Sequence, residues 1–226
     1  MSVSYIVAVR DALQVQLTDL TGRLAVMAHD VAQAMRDATT ACLDGRVRLA
    51  ERVISGDAAI DARRDEIEEQ AVSILALQQP VATDLRRALA VIHVADDIER
   101  MGDLAEHVAK SARRRHPASP VPSEVHPLFE RLADTAITMA LKASEVLRTG
   151  NVLLAAELDG DDDEMDQLHR DVFAVLMDRS WPHEVTAAVD LTLLARFYER
   201  YADHAVAVAK RTIYAVVGGG PDPLPI

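Results

Sequence analysis

The chain has 226 residues, half of them hydrophobic but only 4% aromatic, and a formal net charge of −12. That length allows one large domain or two small ones, and the dominance of Ala, Leu, Val, Asp, Glu and Arg favours helices over strands. The negative balance excludes nucleic acid as a partner, since a phosphate backbone is bound through clustered Lys and Arg, and it suits cations or a basic protein surface.

The opening stretch MSVSYIVAVRDALQVQL is broken by Arg10 and Asp11, so it does not resemble a signal peptide. No apolar run approaches the roughly 18 residues a membrane span requires. The lone Cys42 excludes an internal disulfide and suits a reducing compartment. A soluble, cytoplasmic protein without membrane insertion is expected.

Along the chain, turn signals fall at LDGR (Leu43–Arg46), LQQP (Leu77–Pro80), RHPASPVPSEVHP (Arg115–Pro127), RTGN (Arg148–Asn151), RSWP (Arg179–Pro182) and GGGPDPLPI (Gly218–Ile226). Between them lie stretches of roughly 30 residues with helical periodicity. In the third, Val91, Val94, Ile98, Met101, Ala105 and Val108 follow the alternating three-and-four spacing of a packing seam. The seam recurs 100 residues on as Leu191, Leu194, Tyr198, Tyr201, Ala205 and Val208. The expected fold is all-α, with six helices in two tandem, pseudo-symmetric three-helix bundles. The expected division is 1–115 for the first repeat, 116–124 for a Pro-rich linker, 125–217 for the second repeat and 218–226 for a flexible tail.

The repeat also carries acids. Glu99-Arg100-x-x-Asp103 in the third stretch matches Glu199-Arg200-x-x-Asp203 in the sixth. One stretch earlier, Asp57 and Asp61 match Asp162 and Asp166, again one helical turn apart. For Asp57 and Asp162 helix capping competes with a ligand role, because both follow a short break. Around Glu99 a solvated face is the simpler reading. Glu199 and Asp203, however, lie on a narrow polar stripe with Thr192 and Arg196, flanked by Leu193, Phe197 and Ala207, where carboxylates need a partner or a cation. Two acids one turn apart repel unless something offsets their charge. The candidate metal ligands are therefore Glu99 with Asp103 and Glu199 with Asp203, supported by Asp96, Asp61 and Asp166. Pairing with Arg100 or Arg196 in place of a metal is the alternative.

Other chemistries find less footing. A ferritin-like di-iron site places Glu-x-x-His on two helices, and this chain offers only Asp166-Gln-Leu-His169. No nucleophile elbow or phosphate-cradling glycine loop is evident, so no enzyme is expected. His107 and His204 read as partly exposed helical histidines, and Arg113, Arg114 and Arg115 as either dipole neutralisation or a patch for an acidic partner.

These residues carry a resemblance. LALQQPVATDLRRALAVIHVADDIERMGDLAEHVAK (Leu75–Lys110) and RFYERYADHAVAVAKR (Arg196–Arg211) are similar to the first and second signatures of the PhoU family of phosphate-signalling proteins. The likeness runs from about Leu17 to Val217 and includes Pro80, Asp84, Leu85 and Arg86. It departs from the family where Tyr201-Ala202 replaces a usual Ile-Gly pair, and where Val206 or Ala207 replaces an asparagine. The resemblance implies a non-catalytic negative regulator of phosphate-starvation signalling and phosphate uptake. Such a protein connects a phosphate ABC transporter ATPase to a sensor histidine kinase, forms a homodimer, and holds iron, zinc, magnesium or manganese at its acid motifs. Arg86, Arg100, Arg196 and Arg200 would then support the ligands or touch a partner. A structural helical scaffold is the remaining alternative.

Overall fold

The computed structural model describes the backbone of residues 3–218 and the side chains of residues 10–218. Beyond Gly218, the expected tail lies outside the described residues, as do the first two residues of the first repeat. Six helices follow in order: α1 (Val3–Asp44), α2 (Val47–Gln78), α3 (Ala82–Arg115), α4 (His126–Thr149), α5 (Val152–Leu176) and α6 (Val185–Val217). A short 3-10 turn at Ser123–Val125 precedes α4, and among the described residues there is no strand. None of these helices is long and apolar enough to cross a membrane.

The ends fall at the turn signals. Gly150, with φ +65°, closes α4 in the left-handed conformation that only glycine adopts freely, and its amide reaches the carbonyl of Val146. Asn151 then caps α5, its side chain accepting from the amides of Leu153 and Leu154. The segment between α3 and α4 is pinned rather than slack. Ser119 donates to the carbonyl of Cys42 at 2.8 Å, and Val121 and Val125 are buried.

Helices α1, α3, α4 and α6 form a central layer through the contacts α1–α3, α1–α4, α3–α6 and α4–α6. Helix α2 lies outside on α1 and α3, and α5 lies outside on α4 and α6. All twelve residues of the two seams, from Val91 to Val108 and from Leu191 to Val208, are buried. Their helices therefore turn these faces to the core and leave the acid-bearing faces for α2 and α5.

Helices α3 and α6 run antiparallel and are tied at three levels. Asp97, buried on α3, accepts from Arg211 at 2.9 Å and pairs with His204 at 3.1 Å. His107 stacks on Phe197 with ring centroids 5.2 Å apart. Near the far end, Asp190, buried on α6, is paired with both Arg114, at 2.9 Å, and Arg115. Two of the terminal arginines thus serve this internal ion pair, while Arg113 stands 3.6 Å from Glu51. His204 is likewise a partner of a buried carboxylate rather than a bystander.

Cys42 lies in the same end of the core, where burial above all, and then the charge of Asp190, pushes its thiol up to about 12. Tyr198 and Tyr201 are the largest fully buried side chains. The Thr39 hydroxyl donates to the Met35 carbonyl, so the Tyr198 hydroxyl donates to Thr39, at 2.8 Å. The Tyr201 hydroxyl finds no partner among the described residues. Removing a satisfied buried hydroxyl costs about 1 kcal/mol, whereas removing an unsatisfied one relieves a desolvation penalty. In urea unfolding, Tyr198→Phe is expected to lower stability by about 1 kcal/mol and Tyr201→Phe to leave it unchanged or raise it. Equal losses in both would contradict this account of the core.

Candidate metal centre

The first acidic cleft lies between α2 and α3. Helix α2 contributes Asp57 and Asp61, and α3 contributes Glu99, Asp103 and Glu106, whose spacings of four and three keep them on one face. Asp57, Asp103 and Glu106 each bring a carboxylate oxygen within 4.8 Å of the other two. Gly102 permits this approach. A Cβ at that position would stand 3.1 Å from an Asp57 carboxylate oxygen and 3.2 Å from the Ile60 side chain, tighter than ordinary contact.

Electrostatics inside the cleft follow from crowding. Asp57 is pushed up to about 6, first by burial and then by the charges of Glu106, Asp61, Asp103 and Glu99. Glu99 is also raised, by burial and then by Asp103, against the opposing pull of Arg100 and Arg64. Cations offset the repulsion only at the rim. Arg100 reaches Asp103 at 2.8 Å and Glu99 at 3.5 Å, and Lys110 pairs with Glu106. A folded carboxyl that holds its proton above the unfolded value loses its stabilising contribution as pH rises. For Asp57 that window runs from its ordinary 3.8 to about 6. At neutral pH, above that window, ionised Asp57 therefore works against folding.

The second cleft lies between α5 and α6 and carries Asp162, Asp166, Glu199 and Asp203. Burial and then the charge of Asp203 raise both Asp162 and Glu199. Arg196 pairs with Glu199, and Arg170 stands 3.7 Å from Asp166. One Glu199 carboxylate oxygen is buried with no partner among the described residues, and so is His169 Nε2 on α5. Burial lowers the pKa of His169, as do, more weakly, Arg196 and Arg170. A neutral imidazole is the form that ligates metals.

Capping does not explain the α2 and α5 acids. Both helices run through the expected breaks, α2 from Val47 and α5 from Val152, so Asp57 and Asp162 are mid-helix residues. Asp96 is exposed, and its charge acts on Arg64 and Arg100 rather than on Asp57. Arg200 is exposed on α6. Arg86 sits apart from both clefts, bonded to Thr83 and lying against Gly218 where α6 ends. The arginine pairing weighed for the acid motifs is present in both clefts, but it leaves Asp57 without a cation and one Glu199 oxygen bare. Sequence reasoning missed Glu106, and it noted His169 only as a partial match to a ferritin-like motif. Glu106 was within reach, because it extends the Glu99–Asp103 face by one further turn.

Both donor sets are rich in carboxylate oxygen, which suits hard cations such as magnesium or manganese and tolerates ferrous iron or zinc. The convergence of Asp57, Asp103 and Glu106 in the first cleft and the bare oxygen of Glu199 in the second both fit an ion at these places.

Known proteins carry the same architecture. The PhoU domain family matches this chain twice, over residues 24–112 and 129–212. The phosphate-specific transport system accessory protein PhoU homolog 2 of Mycobacterium tuberculosis is 48% identical over 212 residues, covering 94% of this chain and 100% of that relative. PhoU homolog 1 of Mycobacterium leprae is 47% identical over 213 residues, covering 94% of this chain and 96% of that protein. Among solved structures, PhoU from Pseudomonas aeruginosa superposes with a TM-score of 0.81 at 27% identity, covering 91% of this chain and 99% of that one. With two matched domains on its two bundles and near-full-length relatives at close to half identity, the chain belongs to the PhoU family.

Proposed function

We propose that this protein is a regulatory accessory of phosphate transport that restrains phosphate-starvation signalling. The observation that carries the reading is the 48% identity, along 94% of the chain, to a phosphate-specific transport system accessory protein. It works in the cytoplasm as a homodimeric adaptor between the ATPase of a phosphate ABC transporter and a sensor histidine kinase, and it does no covalent chemistry. Divalent or iron cations on the two clefts set its state. Glu99 with Asp103, and Glu199 with Asp203, hold the ions, with Asp57, Asp61 and Glu106 completing the first cleft and Asp162 and Asp166 the second. An ion held there would act electrostatically, offsetting the carboxylate repulsion between α2 and α3 and between α5 and α6.

Deleting the gene tests the regulatory role. Phosphate-responsive genes should be derepressed when phosphate is plentiful, and unchanged expression would leave a mere scaffold. Oxygen uptake by the iron-loaded protein should stay at the level of free iron, since rapid turnover would mark a carboxylate oxidase instead.

A second expectation concerns the ions. Because the clefts lose their protons as pH rises, added manganese should raise the melting temperature of chelator-stripped protein more at pH 7 than at pH 5. The combined variant Glu99→Ala/Asp103→Ala/Glu199→Ala/Asp203→Ala should lose that rise while keeping its helical circular dichroism. A wild type whose melting temperature ignores manganese at both pH values would reduce the carboxylates to surface charge.

A further inference from the structure

The two clefts descend from one pattern, yet they are not built alike, and we infer that they bind cations unequally: the α2–α3 cleft is the high-affinity site and the α5–α6 cleft a weaker one of different chemistry. The inference rests on the proposed cation-binding role and adds an order of filling and the residues that set it.

Three differences point the same way. The first is spacing. At position 102 a glycine lets Asp57 approach α3, whereas the equivalent position on α6 is Ala202, fully buried. A Cβ at Gly102 would crowd the Asp57 carboxylate at 3.1 Å, so a side chain at this position does not allow the approach that the first cleft shows. Accordingly Asp57, Asp103 and Glu106 converge within 4.8 Å, and no such trio forms in the second cleft among the described residues.

The second difference is ligand count. Glu106 on α3 corresponds to Val206 on α6, so the second cleft lacks that carboxylate and has four where the first has five. Fewer anionic ligands mean weaker hold on a hard cation.

The third is exposure. Asp61 and Asp103 are half-buried, while their counterparts Asp166 and Asp203 are exposed, so the second pair is better hydrated and more screened. The second cleft has an imidazole nearby, though not within 4.8 Å of two of its carboxylates. His169 holds the position equivalent to Arg64, and its Nε2 is buried and unpartnered. A neutral imidazole among carboxylates shifts preference from magnesium or manganese toward zinc or ferrous iron.

The test is a calorimetric titration of manganese into the chelator-stripped full chain, paired with melting temperatures. Wild type should show two classes of site separated by about tenfold or more in affinity. Glu106→Val should abolish the tight class and keep the weak one, whereas Asp162→Asn should remove the weak class alone. Because neither side chain is a core residue, both variants should keep the wild-type circular dichroism. Val206→Glu should tighten the second class toward the first. Repeating the titration with zinc should narrow the gap in wild type, and His169→Ala should reopen it. Two equal classes in wild type, or a tight class that survives Glu106→Val, would overturn the inequality while leaving cation binding intact. No manganese or zinc binding at any millimolar concentration would overturn both this inference and the cation-binding reading beneath it.

Discussion

The antiparallel contact of α3 with α6 is the constraint on which the rest of the molecule depends. Its seam is lined by small and branched residues, with Ala95, Ala105 and Ala109 on one helix and Ala195, Ala205 and Ala209 on the other all buried. Side chains that short allow close approach of the two backbones. Across the contact, Asp97 is held by Arg211 and His204, and Asp190 by two arginines. A buried carboxylate left alone would be costly, so these pairs fix the register of one helix on the other more than they add stability. Once that register is fixed, each helix has only its outer face left. The outer faces carry the acids.

Each cleft is therefore half rigid and half loosely held. Helices α3 and α6 are anchored in the central layer, but among the described residues α2 touches only α1 and α3, and α5 only α4 and α6. Helix α5 is secured by just four buried side chains, Leu158, Met165, Leu168 and Val172. Segments with little buried apolar area open at lower free energy than the core. Carboxylate repulsion acts on the weaker partner, pushing an outer helix away from an inner one that does not yield. The arrangement places the carboxylates between the outer helices and the central layer, away from the seam.

Much of this was legible in the sequence, and the reason is periodicity. Buried positions such as Val91, Ile98, Leu191 and Tyr198 recur at helical spacing, and glycines and prolines mark the turns, so six helices and their inner faces follow directly. The acid motifs were legible for the same cause, being repeated at one spacing on equivalent helices. What local pattern hides is pairing across helices. Whether Asp57 caps a helix or faces Asp103 depends on α2 continuing unbroken through Ser55-Gly56 and on how closely it approaches α3. That distance is set by Gly102, a residue with no side chain to attract notice. Likewise His204 and Arg114 look like surface residues until Asp97 and Asp190 are found buried opposite them.

The same reasoning explains why duplication does not ensure equivalence. A repeat preserves the hydrophobic seam strongly, because a polar or oversized residue there costs several kcal/mol in either copy. The cleft faces are under no such pressure from folding, since Asp57, Glu99, Asp162 and Glu199, with raised pKa values, lower stability rather than raise it at neutral pH. Gly102 against Ala202, and Glu106 against Val206, are differences the scaffold absorbs without strain: the alanine is fully buried and the valine nearly so. Symmetry is thus retained where packing demands it and lost where only ligand chemistry would. The seam repeats as two copies of one bundle, while the cleft residues, Gly102 against Ala202 and Glu106 against Val206, do not repeat.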